Sequence, residues 1–182
     1  MSLFYTKKGD NCFSHIGKNK VAKTCVEIES LGDLDELNSL LGVIKNQKLS
    51  NRFKKILHQI QENLFIIQAN IANLLFGIKH KAPEFKKGKI VEIEKIMDGF
   101  EKKLKPEKGF IIPGANIESA WLDFTRTIVR RTERNIIKMS KGKIKLSPEI
   151  LIYLNRLSSL LFVMARMAAK QSGRKEKHPA YK

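Results

Sequence analysis

Residues 51–79, NRFKKILHQIQENLFIIQANIANLLFGIK, decide the fold. Phe53, Ile56, Leu57, Ile60, Leu64, Ile67, Ile71, Leu74 and Leu75 recur at the three- and four-residue intervals that line one face of an α-helix. At 1.5 Å per residue such a helix is roughly 40 Å long, the length of a bundle element. The same period appears on either side of it. Residues 33–46 carry Leu34, Leu37, Leu40, Leu41 and Ile44 on one face, and Asp33 with Glu36 reads as a capping box at the start. Asp35 adds negative charge where a helix dipole favours it. After a polar hinge at 80–89, Ile90, Ile93, Ile96, Met97, Phe100 and Leu104 mark a third helix. A loop at 105–115 with Pro106, Gly109, Pro113 and Gly114 leads to a fourth helix over 116–140. Ser147-Pro148 is an N-cap followed by proline at the first helical position, and opens a fifth helix that runs to about Lys170.

Five helical segments and no run of alternating strand residues predict an all-α fold. Connections of this length predict a five-helix up-and-down bundle, a single domain over 1–182. Residues 1–30, with Gly9 and Gly17 and no helix period, predict a non-helical N-terminal loop; residues 171–182 predict a flexible basic tail.

A chain of 182 residues that is 42% hydrophobic can bury a core without staples. No basic-then-apolar leader opens it, and Gln, Asn, Glu or Arg interrupt its longest apolar stretches, so a soluble, cytoplasmic protein is expected. Cys12 and Cys25 form no C-x-x-C, and His15, His58, His80 and His178 form no i,i+4 pair, so no protein-ligated metal is expected. The net charge of +17 comes from lysines spread over nearly every segment. That distribution suits solubility and anionic small molecules; a nucleic-acid-binding helical protein is the lesser reading.

The fourth helix carries the informative pattern. At 100° per residue, Leu122, Val129 and Ile136 form a core seam, and Arg126, Arg130 and Glu133 lie beside it. Two readings stay open at this point. One is a structural ion-pair network with Asp35 or Glu36 of the first helix. The other is a cleft whose guanidinium groups hold phosphate or carboxylate, with Glu133 orienting one of them. Thr6-Lys7-Lys8-Gly9-Asp10 sets two ammonium groups beside a glycine, a candidate anion nest that read alone is an ordinary turn. No G-x-x-x-x-G-K-[ST] occurs, so a triphosphate is not held by a P-loop. Asn155, inside an apolar helix, requires a hydrogen-bonding partner.

Five motifs in register resemble the PduO-type ATP:cob(I)alamin adenosyltransferases. Tyr5-Thr-Lys-Lys-Gly-Asp10 is similar to the family's Y-T-K-T-G-D, and Gly32-Asp-Leu-Asp-Glu-Leu-Asn-Ser39 to G-T-x-D-E-L-N-S. Phe110-Ile-Ile-Pro-Gly114 resembles F-I-L-P-G-G, Arg126-Thr-Ile-Val-Arg-Arg-Thr-Glu-Arg134 resembles R-T-x-x-R-R-A-E-R, and Tyr153-Leu-Asn-Arg-Leu-Ser158 resembles Y-L-N-R-L-S-D. The chain departs from those patterns at Lys8 (for Thr), Cys12 (for Gly), Ala115 (for Gly), Asp123 (for His) and Ser159 (for Asp).

The resemblance implies a homotrimer with active sites between subunits. It implies an ATP-binding loop in 1–30 using Thr6, Lys7, Lys8, Gly9, Ser14 and Lys23, and a helical side using Arg130, Arg131, Glu133, Arg134 and Asn155. Of these, Arg130, Glu133 and Asn155 would serve catalysis, Phe110 would lie against the corrin, and Arg126 would pair with Asp35 across the subunit interface. The implied reaction moves the 5′-deoxyadenosyl group of ATP to the cobalt of cob(I)alamin, with Mg²⁺ arriving on ATP and triphosphate leaving. Implied protein partners are a cob(II)alamin reductase and a cobalamin-dependent mutase. The alternative on the same scaffold is a non-catalytic corrinoid or nucleotide carrier.

Overall fold

The computed structural model describes residues 4–5, 7–16, 19–77, 82–104, 109–141 and 145–181. Strands β1 (Phe13–Ile16) and β2 (Asn19–Ala22) precede helices α1 (Val26–Lys45), α2 (Asn51–Phe76), α3 (Gly88–Leu104), α4 (Ile117–Ser140) and α5 (Pro148–Gln171). The five predicted helices are present; the N-terminal segment differs from expectation twice.

First, β1 and β2 pair antiparallel, with Phe13 opposite Ala22 and Ser14 opposite Val21. This short hairpin stands where only loop was expected. Phe13, His15, Asn19 and Lys20 are exposed, so no apolar alternation marks the strands in the sequence. Second, α1 begins at Val26, not Asp33. Ser30 and Asp33 occupy its buried face, so the apolar stripe starts a turn and more after the helix does. Asp33 and Glu36 are therefore mid-helix residues and not a capping box. The N-cap is Cys25, without a side-chain bond, and Glu27 and Glu29 supply negative charge in the first turn.

Local chemistry sets the other ends. Ser50 Oγ accepts from Phe53 N at 3.4 Å and opens α2. Gly77, at φ +56°, closes it at Phe76, short of the predicted end at 79, because glycine holds a left-handed C-cap without a Cβ clash. Asn116 and Ser119 form a reciprocal capping box on α4.

α1 packs on α2 and α4, and α5 packs on α3 and α4. α5 is the interior element, with Leu154, Leu157, Leu160, Leu161, Met164, Ala165 and Ala169 buried. It is long and apolar enough to cross a bilayer, but 67% of its most apolar stretch is buried in the bundle, which marks it as a core helix. Phe85 meets Tyr153 of α5 edge to face with centroids 5.0 Å apart, and Phe53 of α2 meets Phe100 of α3 in the same way at 5.4 Å.

A buried polar knot locks α2, α3 and α5 together. Asn63 Nδ2 donates to Tyr153 Oη at 3.0 Å, and Asn63 Oδ1 accepts from Lys89 Nζ at 2.6 Å. Burial pushes the Tyr153 hydroxyl well above its usual pKa, so it stays neutral. Tyr153→Phe keeps the ring contact and leaves the Asn63 amide unpaired. A loss of about 1–3 kcal/mol is expected, read as a fall of several degrees in Tm by calorimetry.

Candidate active site

The outer face of α4 and α5 separates the two readings of the basic helix residue by residue. Arg131 belongs to a structural network. It ion-pairs with Glu36, and its Nε lies 4.0 Å from Asp33 Oδ1. Asn135 Nδ2 donates to Asp33 Oδ2 at 2.7 Å, and Thr132 Oγ1 reaches the Asp33 carbonyl at 3.5 Å. The α1–α4 network therefore runs through Arg131, not through Arg126 or Arg130.

Arg130 and Arg134 are in the opposite situation. Both are exposed, they stand one helical turn apart, and among the described residues neither has an ion pair or a side-chain hydrogen bond. Between them, half-buried Glu133 accepts from Asn155 Nδ2 at 3.1 Å. Asn155 Oδ1 accepts from Arg156 Nη1 at 3.1 Å, and Arg156 Nε donates to Glu94 of α3 at 2.9 Å. Asn155 is thus not an interior amide; it is exposed and satisfied at both ends. The result is two unneutralised guanidinium groups beside a carboxylate–amide pair fixed by three helices. Such forks suit a polyanion such as a triphosphate.

The loop residues form a second group. Lys7 and Cys12 adopt φ of 59° and 61°, and Asp10 N donates to Lys7 O at 3.4 Å. Lys23 N donates to Cys12 O at 3.0 Å, which folds Lys23 back over the turn. Its Nζ comes so close to Gly9 that a Cβ there would sit 3.1 Å away, so the glycine makes room for the ammonium group. Lys7, Lys8, Gly9 and Lys23 are brought together, and half-buried Ser14 lies on β1; Thr6 lies outside the described residues.

Among the described residues, the hydrogen bonds of Glu133 and Asn155 include no loop residue. Glu36 meets Arg131 and Asp33 meets Asn135, so α1 and α4 run antiparallel. Val26, where the loop enters α1, is then about 10 Å beyond Asp33, towards the C-terminal end of α4 and away from Arg130.

Phe110 is 77% exposed on the α3–α4 connection, which begins its described part at Gly109 with φ +130°. Asp35 is also exposed. Arg126 has a partner in its own chain only at a distance: its Nε is buried, lacks a hydrogen bond and lies 3.8 Å from Asp123 Oδ1.

Arg166 and Glu176 carry no motif in the sequence, where Asp123 stands only as a departure from the family pattern and His178 only as one of four scattered histidines. Arg166 is only 6% exposed, donates through Nη2 to Asp123 Oδ2, and ion-pairs through Nε with Glu176. Burial holds the pKa of the Glu176 carboxyl above its usual value, and Arg166 offsets only part of that rise. The segment from 171, expected to be a flexible tail, lies against the bundle: Ile112 N donates to Lys177 O at 2.8 Å, and His178 Nδ1 lies 2.8 Å from Phe110 O. An arginine amid FVMARMAA was the available signal, because a charge on an apolar helix requires a partner. Among the described residues, no group of three or more His, Cys, Asp or Glu is placed to hold a metal ion.

Cys12 occupies a left-handed angle that costs a non-glycine residue about 1–2 kcal/mol. Cys12→Gly is expected to slow amide exchange across β1–β2 by about fivefold, the equivalent of ~1 kcal/mol, measured by hydrogen–deuterium exchange. Exchange in α5 serves as the unchanged internal reference.

A family model for cobalamin adenosyltransferase matches residues 4–168. The corrinoid adenosyltransferase of Citrobacter freundii is 34% identical over 168 residues, covering 92% of this chain and 95% of that protein. The corrinoid adenosyltransferase MMAB of Homo sapiens is 32% identical over 180 residues, 95% of this chain and 71% of that one. Among solved structures, a phenylalanine-to-alanine variant of the PduO-type ATP:corrinoid adenosyltransferase of Lactobacillus reuteri, complexed with cobalamin and ATP, superposes with a TM-score of 0.90. It shows 28% identity, over 97% of this chain and 98% of that one. An arginine-to-lysine variant of the same enzyme complexed with ATP gives 0.88 over 97% and 99% of the two chains. With a family match over most of its length and a bundle that superposes on the enzyme end to end, the chain belongs to the cobalamin adenosyltransferase family.

Proposed function

We propose that this protein transfers the 5′-deoxyadenosyl group of ATP to the cobalt of cob(I)alamin, forming adenosylcobalamin and triphosphate. The observation that carries the reading is the pair of unneutralised guanidinium groups, Arg130 and Arg134, set beside the fixed Glu133–Asn155 pair on a family-matched chain. Cobalt(I) brings its own nucleophilic electron pair. It attacks C5′, the cobalt–carbon bond forms as the C5′–O5′ bond breaks, and the electron pair departs with triphosphate. No general base is needed, so the task of the chain is to align C5′ with cobalt and to stabilise charge on the leaving group.

Arg130 donates to the leaving triphosphate and Arg134 extends that contact. Asn155 holds Glu133 beside them and so keeps the carboxylate from neutralising either fork. Lys7, Lys8 and Lys23, with the backbone at Gly9, supply the loop side together with Thr6 and Ser14. Arg131 reaches the nucleotide only by leaving Glu36, so its main part is to set the angle of α4 against α1. Phe110 faces the corrin. Magnesium arrives on ATP and would supply charge neutralisation on the triphosphate.

The separation of loop and helix face within one chain supports a site shared between subunits of a homotrimer, where the loop of one copy meets the α4–α5 face of the next. Arg126 supports the same arrangement. Its Nε is buried beside Asp123, but the side chain keeps 29% exposure, and an exposed Asp35 from a neighbouring copy would pair with its outer guanidinium nitrogens. A reductase that delivers cobalt(I) and a mutase that consumes the product are the partners this chemistry requires, in a cytoplasmic setting.

The test is anaerobic. Mg-ATP is added to reduced cobalamin, and the cobalt–carbon bond is followed by absorbance alongside release of triphosphate. Arg130→Ala is expected to lower kcat at least 100-fold, the scale for one preorganised oxyanion donor, while the trimer persists by size-exclusion chromatography with light scattering. Near-normal turnover of that variant removes Arg130 from its role. Tight ATP binding by the unaltered protein with no spectral change would make it a nucleotide carrier instead.

A further inference from the structure

We infer that Glu176, Lys177 and His178 belong to the corrinoid side of the site, as positioning residues that hold the Phe110 loop in place. The inference rests on Phe110 facing the corrin, as proposed above. It concerns a segment that lies beyond the residues matched by the family, 4–168.

The loop between α3 and α4 has little hold of its own. Phe110 and Ile112 are exposed, and Gly109 and Gly114 adopt φ of +130° and +101°, angles that side-chain-bearing residues avoid. What holds it comes from the end of α5 and the segment after it. Lys170 Nζ donates to Lys103 O at 2.5 Å and secures the near end of the connection on α3. Ile112 N donates to Lys177 O at 2.8 Å, making an isolated antiparallel bridge. His178 Nδ1 lies 2.8 Å from Phe110 O, and because a carbonyl only accepts, Nδ1 carries the proton and donates. The imidazole also rests on Gly109, where a Cβ would lie 3.6 Å from Nδ1.

These contacts bracket Phe110 on both sides, and they are anchored in the core. Glu176 pairs with Arg166, which in turn pairs with Asp123 of α4. Asp123 and Arg166 are both buried, so this pairing is held at one geometry in a way that an exposed pair is not. Asp123 is also where this chain departs from the family pattern, which has histidine. A loop that presents a nearly bare phenyl ring is thus fixed through a segment that is itself anchored on a buried arginine.

The test uses the full chain, His178→Ala, His178→Gln, a chain ending at Lys175, and Phe110→Ala. For each, KM for cob(I)alamin, KM for ATP, kcat and Tm are measured. Removal of 176–182 is expected to raise the corrinoid KM about tenfold and His178→Ala about threefold, with the ATP KM within twofold of the unaltered protein. His178→Gln, which keeps a donor, is expected to restore most of the loss. In a Phe110→Ala background, His178→Ala is expected to add nothing, because the side chain it positions is gone. Three results overturn the inference: an unchanged corrinoid KM in both tail variants, a parallel rise of both KM values with a fall in Tm, or effects of Phe110→Ala and His178→Ala that simply add. A full-length protein that forms no cobalt–carbon bond overturns the proposed function, and this inference with it. An active protein whose corrinoid KM responds to Phe110→Ala and not to the tail overturns this inference alone.

Discussion

The rest of the structure depends on the burial of α5. Its apolar side chains face α3 and α4 and the core between the other helices, and each fully buried Leu or Met contributes about 1.5–3 kcal/mol over an exposed one. A helix so enclosed cannot leave a polar group unpaired. Tyr153 is therefore tied to Asn63, and Arg166 to Asp123 and Glu176. The first of these polar contacts fastens α2 and, through Lys89, α3. The second reaches α4 and the segment after α5. Architecture and site follow from one demand, that what α5 buries be satisfied.

Charge on α4 is divided by the same logic. On the side that faces α1, Arg131 is neutralised by Glu36 and Asp33, which orients the two helices. On the side that faces outward, the available carboxylate, Glu133, is engaged by Asn155, and Arg130 and Arg134 keep their charge for something else. An amide holding a carboxylate away from neighbouring guanidinium groups is a simple way to maintain a strongly positive face on a folded protein. It also explains why a chain with a net charge of +17 need not bind anions equally everywhere: most of its lysines lie in solvent on flexible stems, whereas these two arginines are attached to a rigid helix.

The helices were legible where apolar stripes were continuous, as from Phe53 to Ile71 in α2, and illegible where a buried face turned polar. Ser30 and Asp33 hid the first two turns of α1, and strands without apolar alternation hid the hairpin. In the candidate site, arginines beside a core seam drew attention to α4. A step of 100° per residue does not say which neighbour lies on which side, so the structural role fell to Arg131 where Arg126 and Arg130 had been weighed. Cys12 was readable as a departure from glycine, and its φ of 61° gives the physical reason a glycine suits that position. The segment after α5 was illegible because its residues are charged and lack periodicity. Its contacts run through backbone carbonyls and one buried arginine, and neither leaves a hydropathy signal.

That segment has a consequence in time as well as in space. Synthesis runs from the N-terminal side, so Glu176, Lys177 and His178 follow all five helices out of the ribosome. The bundle can close around α5, and the α4 face can take up its charges, while the loop bearing Phe110 is still unheld. The face that carries Arg130 and Arg134 is then formed earlier in the life of each molecule than the loop that carries Phe110 is held.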